Sequence, residues 1–207
     1  MKIDSLTVGP IGTNCYILQE EQAKLCAVID PGDEADRIEK AVESTGCTPV
    51  MILLTHGHFD HYTAVGELLK KWPELPVYIC EKDVTDQVSG GFDLLFPRLT
   101  EKNQRYYKDG DRLTLGSLTI SVLETPGHSR GSVCLVVEDV IFSGDTLFYG
   151  SCGRTDFAGG SYQDILRSLK KLAQLPGQYR VYPGHDRPTD LDFERRVNPY
   201  VKQGLRG

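Results

Sequence analysis

An unbroken apolar run, Val50-Met51-Ile52-Leu53-Leu54, stops abruptly at Thr55-His56-Gly57-His58-Phe59-Asp60-His61. The run has the length and composition of a buried strand. Any fold that hides it must bring the residues at its tip out together at one point. Those residues include three of the chain's five histidines and a carboxylate. Neutral imidazole and carboxylate are the usual ligands of divalent transition metals. A lone histidine in a loop is ordinarily a satisfied polar side chain. Four candidate ligands at one strand tip point instead to a metal site.

The other two histidines repeat the arrangement. His128 follows the run Leu118 to Leu123 through Thr125-Pro126-Gly127, and His185 follows Val181-Tyr182 through Pro183-Gly184. Asp145 follows Ile141-Phe142 through Ser143-Gly144. Each time a short strand ends, a glycine frees the backbone to turn, and a potential ligand comes next. Ligands on loops held by a rigid core are the expected way to build a site.

Short apolar runs at Ile3 to Val8, Cys15 to Leu18 and Leu25 to Ile29 read as strands, the last stopped by Asp30-Pro31-Gly32. Glu34 to Ser44 carries Ala35, Ile38, Ala41 and Val42 on one helical face, with Gly46 as its C-terminal cap. Ala64, Val65, Leu68, Leu69 and Trp72 repeat at helical spacing before Pro73, and Val77 to Cys80 is a short strand. From Glu81 to Asp111 the signal is weak, and Phe92 to Leu99 reads either as a cover over a site or as core packing. Strand signals resume at Leu113 to Leu115, Leu118 to Leu123, Val133 to Val137 and Val140 to Phe142, with Glu138-Asp139 of hairpin length. Ser161-Tyr162-Gln163-Asp164 opens a helix in the manner of a capping box, with Ile165, Leu166, Leu169 and Leu172 on its buried side. Arg180 to Tyr182 is a last strand and Asp190 to Val197 a terminal helix. Two comparable halves of strands and helices predict two sheets with helices packed outside. The 207 residues suit one domain spanning 1–207.

Composition narrows the function. A formal charge of −6 argues against broad binding to nucleic acid or anionic membranes. No run approaches the ~20 apolar residues of a membrane span. Met1-Lys2-Ile3-Asp4 has no apolar stretch behind it, which predicts a cytoplasmic protein. Six cysteines, Cys15, Cys26, Cys47, Cys80, Cys134 and Cys152, form no C-x-x-C pair and read as reduced thiols.

Thr55-His56-x-His58-x-Asp60-His61, followed in order by His128, Asp145 and His185, resembles the metallo-β-lactamase superfamily of hydrolases. The resemblance extends through Gly12-Thr13-Asn14-Cys15-Tyr16, Ile29-Asp30-Pro31-Gly32, Ser143 to Phe148 and Gly153 to Phe157. Within the superfamily the chain is most similar to the short glyoxalase II-like proteins. That resemblance implies an α+β fold, a four-layer αββα sandwich, with a dinuclear metal centre along one edge. His56, His58 and His128 would hold one metal, Asp60, His61 and His185 the second, and Asp145 would bridge them. Asp60 and Asp145 would thus be the catalytic carboxylates. The implied cofactors are two divalent ions, zinc foremost, with iron or manganese as alternatives. Asp30 would fix loop geometry by accepting a hydrogen bond.

The implied reaction is hydrolysis of a small acyl thioester. Two ions about 3.5–4 Å apart share a water and bring its pKa near 7, so that hydroxide can attack the carbonyl. Longer glyoxalase II enzymes grip glutathione with a C-terminal helical domain; here Asp186 to Gly207 is too short for one. In the segment those enzymes use for binding, Cys152 and Arg154 are the candidate substrate contacts here. Arg154 reads either as a clamp for a substrate carboxylate or as the partner of Asp156, and Cys152 either as a site residue or as a packed thiol. The alternative activities are a persulfide dioxygenase with a single iron, a lactonase-like hydrolase, and a non-enzymatic metal-binding module. The diiron oxygen reductases of the superfamily carry a glutamate where this chain has His58.

Overall fold

The computed structural model describes residues 1–85, 99 and 101–207. Apart from Leu99, the segment Phe92 to Leu99 therefore lies outside the described residues. In chain order the first half comprises β1 (Lys2–Val8), β2 (Thr13–Glu20), β3 (Leu25–Ile29), α1 (Ala35–Thr45), β4 (Thr48–Leu53), α2 (Val65–Lys71), β5 (Val77–Cys80), α3 (Lys82–Thr85) and β6 (Gln104–Tyr107). The second comprises β7 (Arg112–Leu115), β8 (Leu118–Glu124), β9 (Val133–Val137), β10 (Val140–Gly144), β11 (Leu147–Phe148), β12 (Ser151–Cys152), α4 (Tyr162–Ala173), β13 (Arg180–Pro183), β14 (Thr189–Asp190), α5 (Leu191–Val197) and α6 (Pro199–Arg206). Among the described residues no helix is long and apolar enough to cross a membrane.

One six-stranded sheet runs in the order β1-β2-β3-β4-β5-β6, and a second in the order β14-β13-β10-β9-β8-β7. The period-two alternation of strand side chains decides how they stack. In β2, β3 and β4, Tyr16, Leu18, Ala27, Ile29, Met51 and Leu53 pack in a common core with Ile120, Val122, Val133, Leu135 and Phe142 of the other sheet. The intervening residues Cys15, Ile17, Cys26, Val28, Ile52 and Leu54 face the opposite way, against Ile38 and Val42 of α1 and Val65 and Leu68 of α2. On the far side, Cys134, Ile141 and Val181 pack against Ile165, Leu169 and Leu172 of α4, Leu191 of α5 and Val201 of α6. Three apolar layers separate four structural ones, which is the αββα sandwich. Each fully buried aliphatic side chain of α4 contributes roughly 1.5–3 kcal/mol.

Helix boundaries follow the expected signals. Gly46 ends α1 in the left-handed region at φ 67°. The Ser161 side chain accepts the Asp164 amide at the start of α4. The short elements α3, β11, β12 and β14 escaped the sequence reading, as did β6 and α6. β6 is an edge strand whose Arg105 and Tyr106 are exposed, so it shows no alternation of apolar and polar residues. α6 follows α5 after a break at Asn198, whose side chain accepts the amides of Tyr200 and Val201 with Pro199 in the first turn.

All six cysteines are free thiols. Cys15, Cys26, Cys80 and Cys134 are fully or almost fully buried in the apolar layers and act as small hydrophobes.

Candidate metal centre

The tips of β4, β8, β10 and β13 meet at one end of the sandwich, tied by backbone bonds that cross between the sheets. Val133 N donates to Thr55 O at 2.8 Å, and Asn14 N donates to Gly184 O at 2.7 Å. Gly184 N in turn donates to Gly144 O at 2.8 Å. Gly127 and Gly144 take the positive φ values of 139° and 47° that let a strand turn into its ligand loop. Gly184 is needed for space. A Cβ there would lie 2.2 Å from Asp145 Oδ1 and 2.7 Å from His61 Cε1. Gly184→Ala is therefore expected to lower metal affinity by at least about tenfold while leaving the circular dichroism spectrum unchanged, read by metal analysis of the purified variant.

Every predicted ligand reaches this point. His56, His58 and His128 bring their donor atoms together, as do Asp60, His61 and His185, and as do His56, His61 and Asp145. Asp145 stands between the first two groups. Its Oδ2 lies 3.3 Å from His128 Nε2 and 3.6 Å from His185 Nε2, and its Oδ1 lies 3.5 Å from His61 Nε2.

The surrounding hydrogen bonds orient the rings. Thr55 Oγ1 donates to Asp30 Oδ2 at 2.7 Å, so its contact with His56 Nδ1 at 3.1 Å must be donated by the imidazole. His61 Nδ1 donates to Asp30 Oδ2 at 3.0 Å, and His128 Nδ1 to the Arg154 carbonyl at 2.7 Å. In all three Nε2 is the nitrogen left pointing inward, the one that a metal-ligating histidine offers once it is neutral. His58 presents Nδ1 instead, 2.8 Å from His128 Nε2. Among the described residues, the buried atoms His56 Nε2, His61 Nε2 and Asp145 Oδ1 have no hydrogen-bond partner. Buried lone pairs left without a donor are costly, and a cation at their common focus satisfies them. The donor set fits a divalent metal.

The electrostatics agree. Burial, reinforced by the other imidazoles, holds His56 well below the ordinary histidine range. Burial also lowers His58, and with the charge of His58 it brings His128 to about 3. These three stay neutral, as ligands must. Burial opposes charge on His61 too, yet Asp30 and Asp145 outweigh it and hold the ring at about 9. Burial lifts Asp145 to about 6, with His61 and His185 pulling the other way. For Asp60 burial is outweighed by the hydrogen bond from His185 and the charge of His61, and its carboxyl falls well below the usual range. His185 is likewise raised, despite burial, by its hydrogen bond to Asp60 and the charge of Asp145. His61 and His185 thus carry protons that a bound metal would displace, while Asp145, pushed toward neutrality, would regain its charge beside that cation.

Residues 8–185 match the family model of the metallo-beta-lactamase superfamily. The chain belongs to that superfamily. It is 38% identical over 209 residues, covering 97% of this chain and 98% of the relative, to the protein named "Probable metallo-hydrolase YqgX" of Bacillus subtilis. It is 31% identical over 218 residues, covering 97% and 98%, to the hydroxyacylglutathione hydrolase GloC of Haemophilus influenzae. Among solved structures, TTHA1623 in a di-iron-bound form superposes with a TM-score of 0.83 at 37% identity, over 95% of this chain and 99% of that one. The chain is thus a metallo-hydrolase with a divalent-metal site built from histidine and aspartate.

Two superfamily segments gain a physical role from the structure. In Gly12-Thr13-Asn14-Cys15-Tyr16, the Thr13 hydroxyl donates to Asp60 Oδ2 at 2.9 Å, and the Tyr16 hydroxyl donates to the Pro183 carbonyl at 2.6 Å. The Asn14 amide nitrogen donates to the carbonyls of Pro183 at 3.1 Å and Asp186 at 2.8 Å. One strand end thus anchors both Asp60 and the loop of His185. In the second segment, a Cβ on Gly153 would lie 1.9 Å from the Asp145 carbonyl oxygen, so only glycine allows that loop to close on the centre. The Cys152 side chain packs in the layer beneath α4, where burial raises its thiol to about 11. Arg154 makes a bidentate pair with Asp156 at 2.7 Å for both bonds, and its guanidinium lies 3.9 Å from the Phe157 ring centroid. The rings of Phe157 and His58 are nearly perpendicular with centroids 5.6 Å apart, as are those of Phe148 and His185 at 6.2 Å. Each phenylalanine ends a segment that carries the superfamily resemblance, but neither is among the candidate site residues read from the sequence.

Proposed function

We propose that the chain is a thioesterase of the glyoxalase II type, a single cytoplasmic domain over 1–207 acting on a small acyl-thiol. His56, His58 and His128 would hold one divalent ion and Asp60, His61 and His185 a second, with Asp145 placed to serve both; zinc is the expected metal. The observation that carries this reading is the position of Asp145, within 3.3–3.6 Å of donors from both triplets. Full-length similarity to a hydroxyacylglutathione hydrolase supports the choice of thioester. The ions when bound supply hydroxide at neutral pH and polarise the substrate carbonyl.

The chain's own residues do the rest. Asp60, held by Thr13 and His185, keeps a fixed negative charge beside the centre. Phe148 and Phe157 stand at its flanks and offer apolar surface to an acyl chain while limiting water. A thiolate leaves without a strong general acid, which suits a centre whose imidazoles are committed to ligation. Arg154, if it releases Asp156, is the side chain placed to meet a substrate carboxylate.

The test is metal analysis of the purified protein together with turnover of S-lactoylglutathione and of a simpler thioester. About two equivalents of metal and cleavage of both substrates are expected. About one equivalent of iron with no hydrolysis would overturn the proposal, and oxygen uptake with a persulfide would then establish the dioxygenase alternative.

A further inference from the structure

The two halves of the centre are not fastened alike. Asp30 ties His61 to the Thr55–His56 end of β4. His58 and His128 come from opposite sheets and are 70 residues apart, and they too need a tie. We infer that Asp83, on α3 and outside every ligand loop, is the positioning residue for this half, through one carboxylate that grips both loops.

Asp83 Oδ2 accepts the amide of Gly57, between His56 and His58, at 2.8 Å. The same oxygen accepts the hydroxyl of Ser129, the residue after His128, at 2.7 Å, and Oδ1 accepts the amide of Gly131 at 2.6 Å. Ser129 is itself held by Ser132, Oγ to Oγ at 2.7 Å. Both loops give up side chains to come this close. A Cβ on Gly57 would lie 2.9 Å from the Asp83 Cβ, and one on Gly131 would lie 2.6 Å from its carboxyl carbon.

The need for this grip follows from the rings it aligns. His128 donates through Nδ1, so its Nε2 is a lone pair, and it faces His58 Nδ1 at 2.8 Å. Without metal, His58 Nδ1–H donates to that lone pair; a metal would take both nitrogens as ligands and remove this bond, so the two loops must then be held together by other contacts. A carboxylate accepting three hydrogen bonds from the two loops is a charge-assisted clasp, strong enough to hold the pair in register before metal arrives. It also adds a negative charge near the cation without occupying a coordination position.

This inference rests on the dinuclear metal reading, and the experiment separates the two. Metal-free protein is titrated with cobalt(II), read by its absorption bands and by competition with a chelator, for wild type, His58→Ala, His185→Ala, Asp83→Asn and Ser129→Ala. The first two variants identify which binding step belongs to which half. Asp83→Asn is expected to weaken the His58-dependent step by roughly 10–100-fold and to leave the His185-dependent step within about threefold. Ser129→Ala, which removes one of the three bonds, should move the same step in the same direction by less. Equal weakening of both steps, or no change in either, would overturn the role of Asp83 and reduce it to a general brace of the fold. If His58→Ala and His185→Ala both bind cobalt as wild type does, the metal reading itself falls, and the inference with it.

Discussion

Asp145→Ala is expected to cut thioester turnover roughly a thousandfold, about 4 kcal/mol in the barrier, and to release metal in the same step. The expectation follows from position. Asp145 contacts His128 on one side and His61 and His185 on the other, so in the proposed dinuclear centre its loss would remove a ligand from both metals at once. Its burial sharpens the effect, because little water can enter to replace a side chain that is 7% exposed. Asp145→Asn keeps the shape and one acceptor oxygen but loses the charge, so it should retain metal between the wild-type and alanine levels. Metal analysis and turnover measured on the same preparations provide the check. Full metal content with near-normal activity in the alanine variant would show that Asp145 does not bridge.

Asp30→Ala is expected to lower the stability of the metal-free protein by about 3–5 kcal/mol. The carboxylate accepts Thr55 N and Thr55 Oγ1, both at 2.7 Å, and His61 Nδ1 at 3.0 Å, and it is 1% exposed. Alanine leaves three buried donors without an acceptor. It must also adopt the left-handed backbone of this position, φ 50°, which costs a residue with a Cβ and no local hydrogen bond about 1–2 kcal/mol. Asn tolerates that backbone, so Asp30→Asn should lose much less stability yet still bind metal roughly 10–100-fold more weakly, because the His61 ring loses its anionic partner. Urea denaturation of metal-free protein and chelator competition separate the two effects. An alanine variant that unfolds at the wild-type midpoint would refute the account.

The convergence of the candidate ligands is readable because they obey a local rule. Each follows a strand that must be buried, and the strand end fixes where the ligand emerges. The rule needs only apolar runs and the residues next to them, so His56, His58, Asp60, His61, His128, Asp145 and His185 were all in view. The helices α1 and α4 were readable for a similar reason, since Gly46 and Ser161 act through bonds within one turn of the cap. α6 had its own local signal in Asn198-Pro199, a capping residue before a first-turn proline, which the pattern of α5 obscured.

What escaped depends on distant partners. Asp83 sits in a short polar helix with no periodicity, and its significance lies in bonds to residues 26, 46 and 48 positions away. Thr13 donates to Asp60 across 47 positions, a pairing with no local trace. Arg154 was legible as a cation, but only its bidentate contact with Asp156 and its stacking on Phe157 decide which group it serves in the absence of substrate.

From the sequence alone it follows that two sheets carry candidate metal ligands at their strand tips, because burial of apolar runs and the residues that end them are properties of short segments. Only the tertiary structure decided which lone pairs converge, since ring orientation is imposed by acceptors from other loops: Asp30 on His61, Thr55 on His56 and the Arg154 carbonyl on His128. Hydrogen bonds reach about 3 Å, so a chain must fold before it can tell an imidazole which nitrogen to offer.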